Sequence, residues 1–188
     1  MSTRLNVAAY RWGAGRQERA AARATLSSLA PDVLVLHRVP AHPFAGHRIA
    51  GFADHLDLMW SGGPHRRSGG CTILASLRVD VLDERHLPLS HPRNGYAVTR
   101  LRLPGHPPCL VVGAHLTAAA ADAAAELGRL REEVGRLSAS EGLPVAALSA
   151  DVGPDVLSRA WPDFSGGIVP ARDEVTSTDV DTDRLAAG

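Results

Sequence analysis

The chain has 188 residues, in which 20 basic and 20 acidic side chains cancel to zero formal charge. That length suits one compact α/β domain with a core of its own, and two independent domains would each be small. The balanced charge supplies no overall field to attract a polyanion, so it gives no support to general nucleic-acid binding and leaves room only for a local basic site.

Every basic residue other than histidine is arginine, and Ala, Gly and Pro are heavily used, as coding bias from a GC-rich genome would produce. Cys71 and Cys109 sit in apolar runs without the paired spacing of a zinc site or a disulfide framework, and are expected to be buried free thiols. The start, Met1-Ser2-Thr3-Arg4, shows no apolar secretion segment, and no stretch approaches membrane-spanning length. The expected compartment is the cytoplasm.

Leu5 to Tyr10 is an apolar run of strand formers, followed after Gly13-Ala14-Gly15 by an Arg/Ala-rich helical segment from about Arg16 to Leu29. Pro31 ends that helix, and Asp32 to Val39 reads as a strand buried on both faces because Val33 to Leu36 are continuously apolar. Pro43 to Leu56 reads as a weak helix, and Ser61 to Gly69 as a polar loop whose His65, Arg66 and Arg67 form a small solvated basic patch. Strands are expected at Cys71 to Leu74, Val79 to Leu82 and Tyr96 to Leu103, arranged as antiparallel hairpins. Cys109 to Leu116 is another apolar strand, and the Ala-rich helix after it repeats Leu127, Leu130, Val134 and Leu137 at helical spacing. A buried strand at Val145 to Leu148 carries Asp151 just beyond its carboxyl end. Periodicity fades after that point. The expected layout is one domain over residues 1–170, then an acidic tail from Ala171 to Gly188 that is largely poorly ordered because it has few large apolar side chains.

Four segments in order resemble the landmarks of the endonuclease/exonuclease/phosphatase superfamily, a four-layer α/β sandwich of metal-dependent phosphoesterases. Val7-Ala8-Ala9-Tyr10-Arg11-Trp12 is similar to the family's first strand, with Arg11 at the position of a metal-site asparagine. Pro31 through Pro40 resembles the strand ending in Gln-Glu-Val, with His37-Arg38 in place of the Gln-Glu that supplies the principal metal ligand. Gly113-Ala114-His115-Leu116-Thr117 resembles Asn-Thr-His-Leu, keeping the histidine as His115 but not the asparagine. Val145 through Gly153 is similar to the strand ending in Gly-Asp-Phe-Asn, keeping Asp151 and placing Gly153 where the phosphate-holding asparagine would be. In support, Ser68 through Ser76 resembles a Gly-x-Ala-Ile-Leu-Ser strand, and Arg93 lies near the place of a phosphate-facing arginine. No histidine follows His115, so the terminal Ser-Asp-His motif has no match.

The resemblance implies an α/β sandwich of this type lacking its last strands. The departures fall on the chemical positions. Magnesium and manganese are hard cations held by carboxylates, and two guanidinium groups at the metal position repel them. The expected function is therefore that of a degenerate member, a metal-free pseudoenzyme or repurposed protein that binds an anionic small molecule or a protein partner. One alternative is a metal-dependent phosphoesterase using Mg or Mn. Another is a non-hydrolytic enzyme in which Asp151 or His115 acts as acid or base. In the anion-binding reading Arg11, Arg38, Arg93 and His115 converge on one cleft, with His37 and Gly153 beside them and Asp151 holding one of the arginines. In a purely structural reading Arg38 and Asp151 form a salt bridge that closes a vestigial site, and His37 and His115 are hydrogen-bonded strand-end histidines. Loss of the family's last strands would also leave a sheet edge open, from which a homodimer or an obligate partner is expected.

Overall fold

The computed structural model describes residues 4–12, 15–40, 44–60, 70–89, 94–116 and 120–186. The opening is a parallel β-α-β unit made by β1 (Arg4–Arg11), α1 (Arg16–Leu29) and β2 (Val33–His37). In β1 the pleat sends Leu5, Val7 and Ala9 to one face and Ala8 and Tyr10 to the other, and both sets are buried. Helix α1 begins where the Glu18 carboxylate accepts from the Gly15 N–H at 2.6 Å, which satisfies one of the helix's unpaired donors. It ends at Ala30, whose left-handed backbone (φ 44°) turns the chain into Pro31.

After α2 (Ala45–Asp54) come β3 (Leu58–Trp60), β4 (Thr72–Ser76), β5 (Asp80–Pro88), β6 (Gly95–Arg102) and β7 (Cys109–His115). Helix α3 (Ala120–Glu141) then leads to β8 (Val145–Ala150), and α4 (Pro154–Ala160), β9 (Gly167–Pro170), β10 (Thr176–Asp181) and α5 (Thr182–Ala186) complete the order. The strands form two five-stranded sheets, ordered β10-β1-β2-β4-β3 and β5-β6-β7-β8-β9. Valines, alanines and both cysteines fill the space between the sheets. A second apolar layer lies between the first sheet and the helices α1 and α2, and a third between the second sheet and α3 and α4. This is a four-layer α/β sandwich, as the sequence predicts. Both cysteines are buried and form no disulfide.

The sheets approach closely where their residues are small. A Cβ on Gly113 of β7 would lie 2.5 Å from Val35 Cγ1 and 2.6 Å from Cys71 Sγ. The position that resembles a family asparagine is thus filled by the side chains of the opposite sheet and has no room for one. Gly167 plays the same part lower in the sandwich, where a Cβ would meet Thr178 Cγ2 at 2.6 Å.

The chain beyond β8 corrects the sequence reading. The segment from Ala171, expected to be largely disordered, supplies β10, which pairs antiparallel with β1 from Arg4↔Asp181 to Ala9↔Thr176. Only Val180 of that strand is buried. Six threonine-, serine- and aspartate-rich residues gain order here from backbone pairing with a largely buried strand, a contribution that hydrophobic periodicity cannot register. Strand β10 covers β1 and is itself the outer strand of that sheet.

Candidate functional site

The two parallel strand pairs decide where the site lies. In the first sheet β1 and β2 run in register with Arg11 opposite His37, and in the second β7 and β8 run parallel with Ala114 opposite Ala150. Their carboxyl ends meet at one rim of the sandwich, the usual location for sites in sheets of this kind. Arg11 and Arg38 arrive there from one sheet and His115 and Asp151 from the other.

Asp151 is the centre of the cluster. Its backbone N–H donates to Ala114 O at 3.1 Å, and its side chain is fully buried. Arg11 Nε donates to Oδ1 at 2.5 Å and Arg38 Nε donates to Oδ2 at 2.7 Å, so one carboxylate joins the two sheets through two guanidinium groups. His115 Nδ1 lies 3.4 Å from Oδ2, and this buried nitrogen has no aligned hydrogen-bond partner among the described residues. Burial by itself would raise the Asp151 carboxyl, but His115, Arg38 and Arg11 together outweigh it and hold the group well below the usual carboxylate range.

The Arg38 backbone is unusual. Its φ of 57° is left-handed, a conformation that costs a non-glycine residue free energy, and it directly follows the last residue of β2. Gly70 (φ 90°) packs against this turn, where a Cβ would come within 2.9 Å of Val39 O. The turn swings Arg38 out of the strand line toward Asp151. Arg38 remains 54% exposed, against 23% for Arg11, leaving the rest of its guanidinium open to solvent.

The other predicted positions separate. His37 is fully buried, with Nε2 2.8 Å from Ser149 Oγ on β8, so it joins the two sheets just beneath the cluster, within reach of the charges of Asp151 and Arg11. Burial lowers its pKa from 6.5 to about 3 and keeps it neutral. Gly153 is exposed and is the N-cap of the short helix α4, where its carbonyl accepts from Val156 and Leu157. Arg93 and the His65-Arg66-Arg67 patch lie outside the described residues. Two participants escape a sequence reading. Ser149 is one hydroxyl inside a buried strand. Asp173 comes to 3.7 Å from Arg11 Nη1 because the connection between β9 and β10 bonds to the β1 end through Arg11 N–H and Arg172 O at 2.9 Å.

Acid should destabilise the fold in two stages. Unfolded His37 takes up a proton below about 6.5 and the buried native ring does not until about 3, so stability falls as pH drops through that window. Asp151 has a depressed native pKa, so its contribution is present above its unfolded value and is lost as pH falls further. We expect His37→Gln, which keeps a hydrogen-bonding side chain but cannot titrate, to flatten the thermal midpoint between pH 6.5 and 4.5 while leaving the steeper loss at lower pH. An unchanged slope in that variant would show that His37 is not the group responsible.

No family model matches the sequence, and no curated protein is significantly similar to it. Solved structures do match. The catalytic domain of human Nocturnin with a bound sulfate anion superposes with a TM-score of 0.62 at 13% identity, over 85% of this chain and 70% of that one. A protein of the endonuclease/exonuclease/phosphatase family from Bacteroides thetaiotaomicron gives 0.62 at 14% identity, over 85% and 67%. Truncated TDP2 from Caenorhabditis elegans gives 0.59 at 17% identity, over 83% and 66%. The fold is that of the endonuclease/exonuclease/phosphatase superfamily. The chain spans about two thirds of the length of these structures.

The metal ion implied by the superfamily resemblance can be tested against the donors present. Both Asp151 oxygens are engaged by guanidinium groups, and positively charged Arg38 stands where the resemblance implies the principal carboxylate ligand. Among the described residues no group of three or more His, Cys, Asp and Glu side chains is placed to hold a metal ion. This donor set does not fit a hard divalent cation in the superfamily's position.

Proposed function

We propose that the rim cluster is a metal-free anion site, in which Arg11 and Arg38 supply positive charge at the position where the superfamily resemblance implies a cation. The observation that carries this reading is the double clamp on Asp151. One buried carboxylate fixes both guanidinium groups in place, and the exposed Asp173 lies 3.7 Å from Arg11 Nη1, so Arg38 is the arginine whose charge keeps no second acidic partner among the described residues, with its donors already oriented. Its ligand class is a small molecule bearing phosphate, sulfate or carboxylate. Asp151, with both oxygens engaged, is poorly suited to accept a proton from an attacking water, which favours binding over hydrolysis.

A second reading is a metal-dependent phosphoesterase. It draws support from the fold neighbours, since Nocturnin's structure is of a catalytic domain. It would require the Asp151 carboxylate to leave its arginines, and ligands from outside the described residues.

Calorimetric titration of inorganic phosphate separates the two. The wild type should bind, and Arg38→Ala should weaken binding at least tenfold, as expected for loss of about 1.5–3 kcal/mol from one charge-assisted contact. Equal affinity in wild type and variant would sink the anion-site reading. Hydrolysis of a generic aryl phosphodiester that appears with manganese and vanishes with a chelator would establish the second.

A further inference from the structure

A second basic feature lies away from the rim, on the outer face of the first sheet. Helices α1 and α2 flank a cleft of about 480 Å³ whose floor is Trp12 and Phe52. Arg19 and Arg23 line it from α1, His47 and Arg48 line it from α2, and His55 lines it from the C-cap of α2. Among the described residues no carboxylate lines it. In a chain whose charges cancel overall, this is a local concentration of positive charge, placed on the side of β1 opposite to the Arg11–Asp151 contact.

Three features make the cleft more than a solvated helix surface. Its floor is rigid, because Trp12 and Phe52 are each 5% exposed and pack edge to face with centroids 5.0 Å apart. The Arg19 guanidinium carbon sits 5.9 Å from the Trp12 ring centroid, a cation–π placement that holds this side chain at the cleft wall. Arg23 and Arg48 take part in none of the salt bridges among the described residues, although arginines elsewhere on the molecule are paired with Asp or Glu. Like charges on facing helices repel, and an anion between them would relieve that repulsion.

We infer that the α1–α2 cleft is a second anion-binding site, independent of the rim cluster, for a compact small molecule carrying several anionic groups such as a polyphosphate chain. The arginines of α1 are spaced i and i+4, one turn apart, and the α2 groups face them, so the positive charge is spread along the cleft and suits more than one anionic group. A concave space of this size holds a small ligand. A long polyanion would need a charged track beyond it, and the zero net charge of the chain gives no sign of one.

Inorganic tripolyphosphate is a suitable probe, titrated calorimetrically into Arg38→Ala protein so that the rim cluster does not contribute. Binding should persist there, and adding Arg23→Ala and Arg48→Ala should weaken it at least tenfold with the circular dichroism spectrum unchanged. Charge reversal, Arg23→Glu with Arg48→Glu, should abolish it. Absence of tripolyphosphate binding to the Arg38→Ala protein would overturn the inference. So would affinity within twofold for the Arg23/Arg48 variant. Single-stranded oligonucleotide binding at least a hundredfold tighter than tripolyphosphate, and equally sensitive to these arginines, would also overturn it, because the surface would then belong to a polymer.

Discussion

Asp151→Ala should lower the unfolding free energy by about 3 kcal/mol, the low end of the cost of removing one partner from a buried ion pair. The buried carboxylate offsets two guanidinium charges, and its removal leaves Arg11, at 23% exposed, repelling Arg38 at the ends of two adjacent strands of the first sheet. The low end applies because Arg38 is 54% exposed and water compensates much of its charge. Chemical denaturation followed by circular dichroism measures the change. Asp151→Asn should cost less, since the amide oxygen still accepts from one arginine. A loss below about 0.5 kcal/mol for Asp151→Ala, the size expected of an exposed pair, would mean that the double clamp does not join the sheets.

The double change Arg11→Asn with Arg38→Glu should exchange the ligand preference of the rim. Arg11, Arg38 and Asp151 sum to about +1 in the wild type and about −2 in the variant, and the exposed Asp173 beside position 11 makes both sums more negative without changing the difference between them. Phosphate binding should disappear. Divalent manganese should then raise the thermal midpoint, because a ligand that binds only the native state stabilises it, by about 2.7 kcal/mol at a hundred times its dissociation constant. The variant removes both guanidinium partners of the buried Asp151 and sets a second carboxylate beside it, so its stability without metal should fall below that of the wild type. A folded variant that gains no manganese response would show that more than these two positions keeps a divalent metal from the rim.

Much of the sandwich was legible in the sequence, because buried strands and amphipathic helices leave periodic patterns. Helix α1 matches its predicted range of Arg16 to Leu29, and β7 begins at Cys109 as expected. The end of the chain was not legible. Strand β10 is stabilised by hydrogen bonds to β1, and its mostly polar side chains carry no such pattern. At the site, the resemblance identified the strand ends, and parallel pairing within each sheet brings Arg11, Arg38, His115 and Asp151 together. What it could not supply was side-chain direction. His37 and Arg38 are neighbours in sequence, yet one turns inward to Ser149 and the other out to Asp151, through a left-handed turn that no residue type at that position advertises. Nor could it show that Asp151 holds both arginines and not one.

The central claim, that fixed guanidinium groups occupy the place of a metal ion, is tested most directly by the thermal midpoint of the wild-type protein in millimolar magnesium, manganese or phosphate, each with and without chelator. The account predicts a saturable rise with phosphate that Arg38→Ala removes, and no rise with either metal. A saturable, chelator-reversible rise with magnesium or manganese would contradict it.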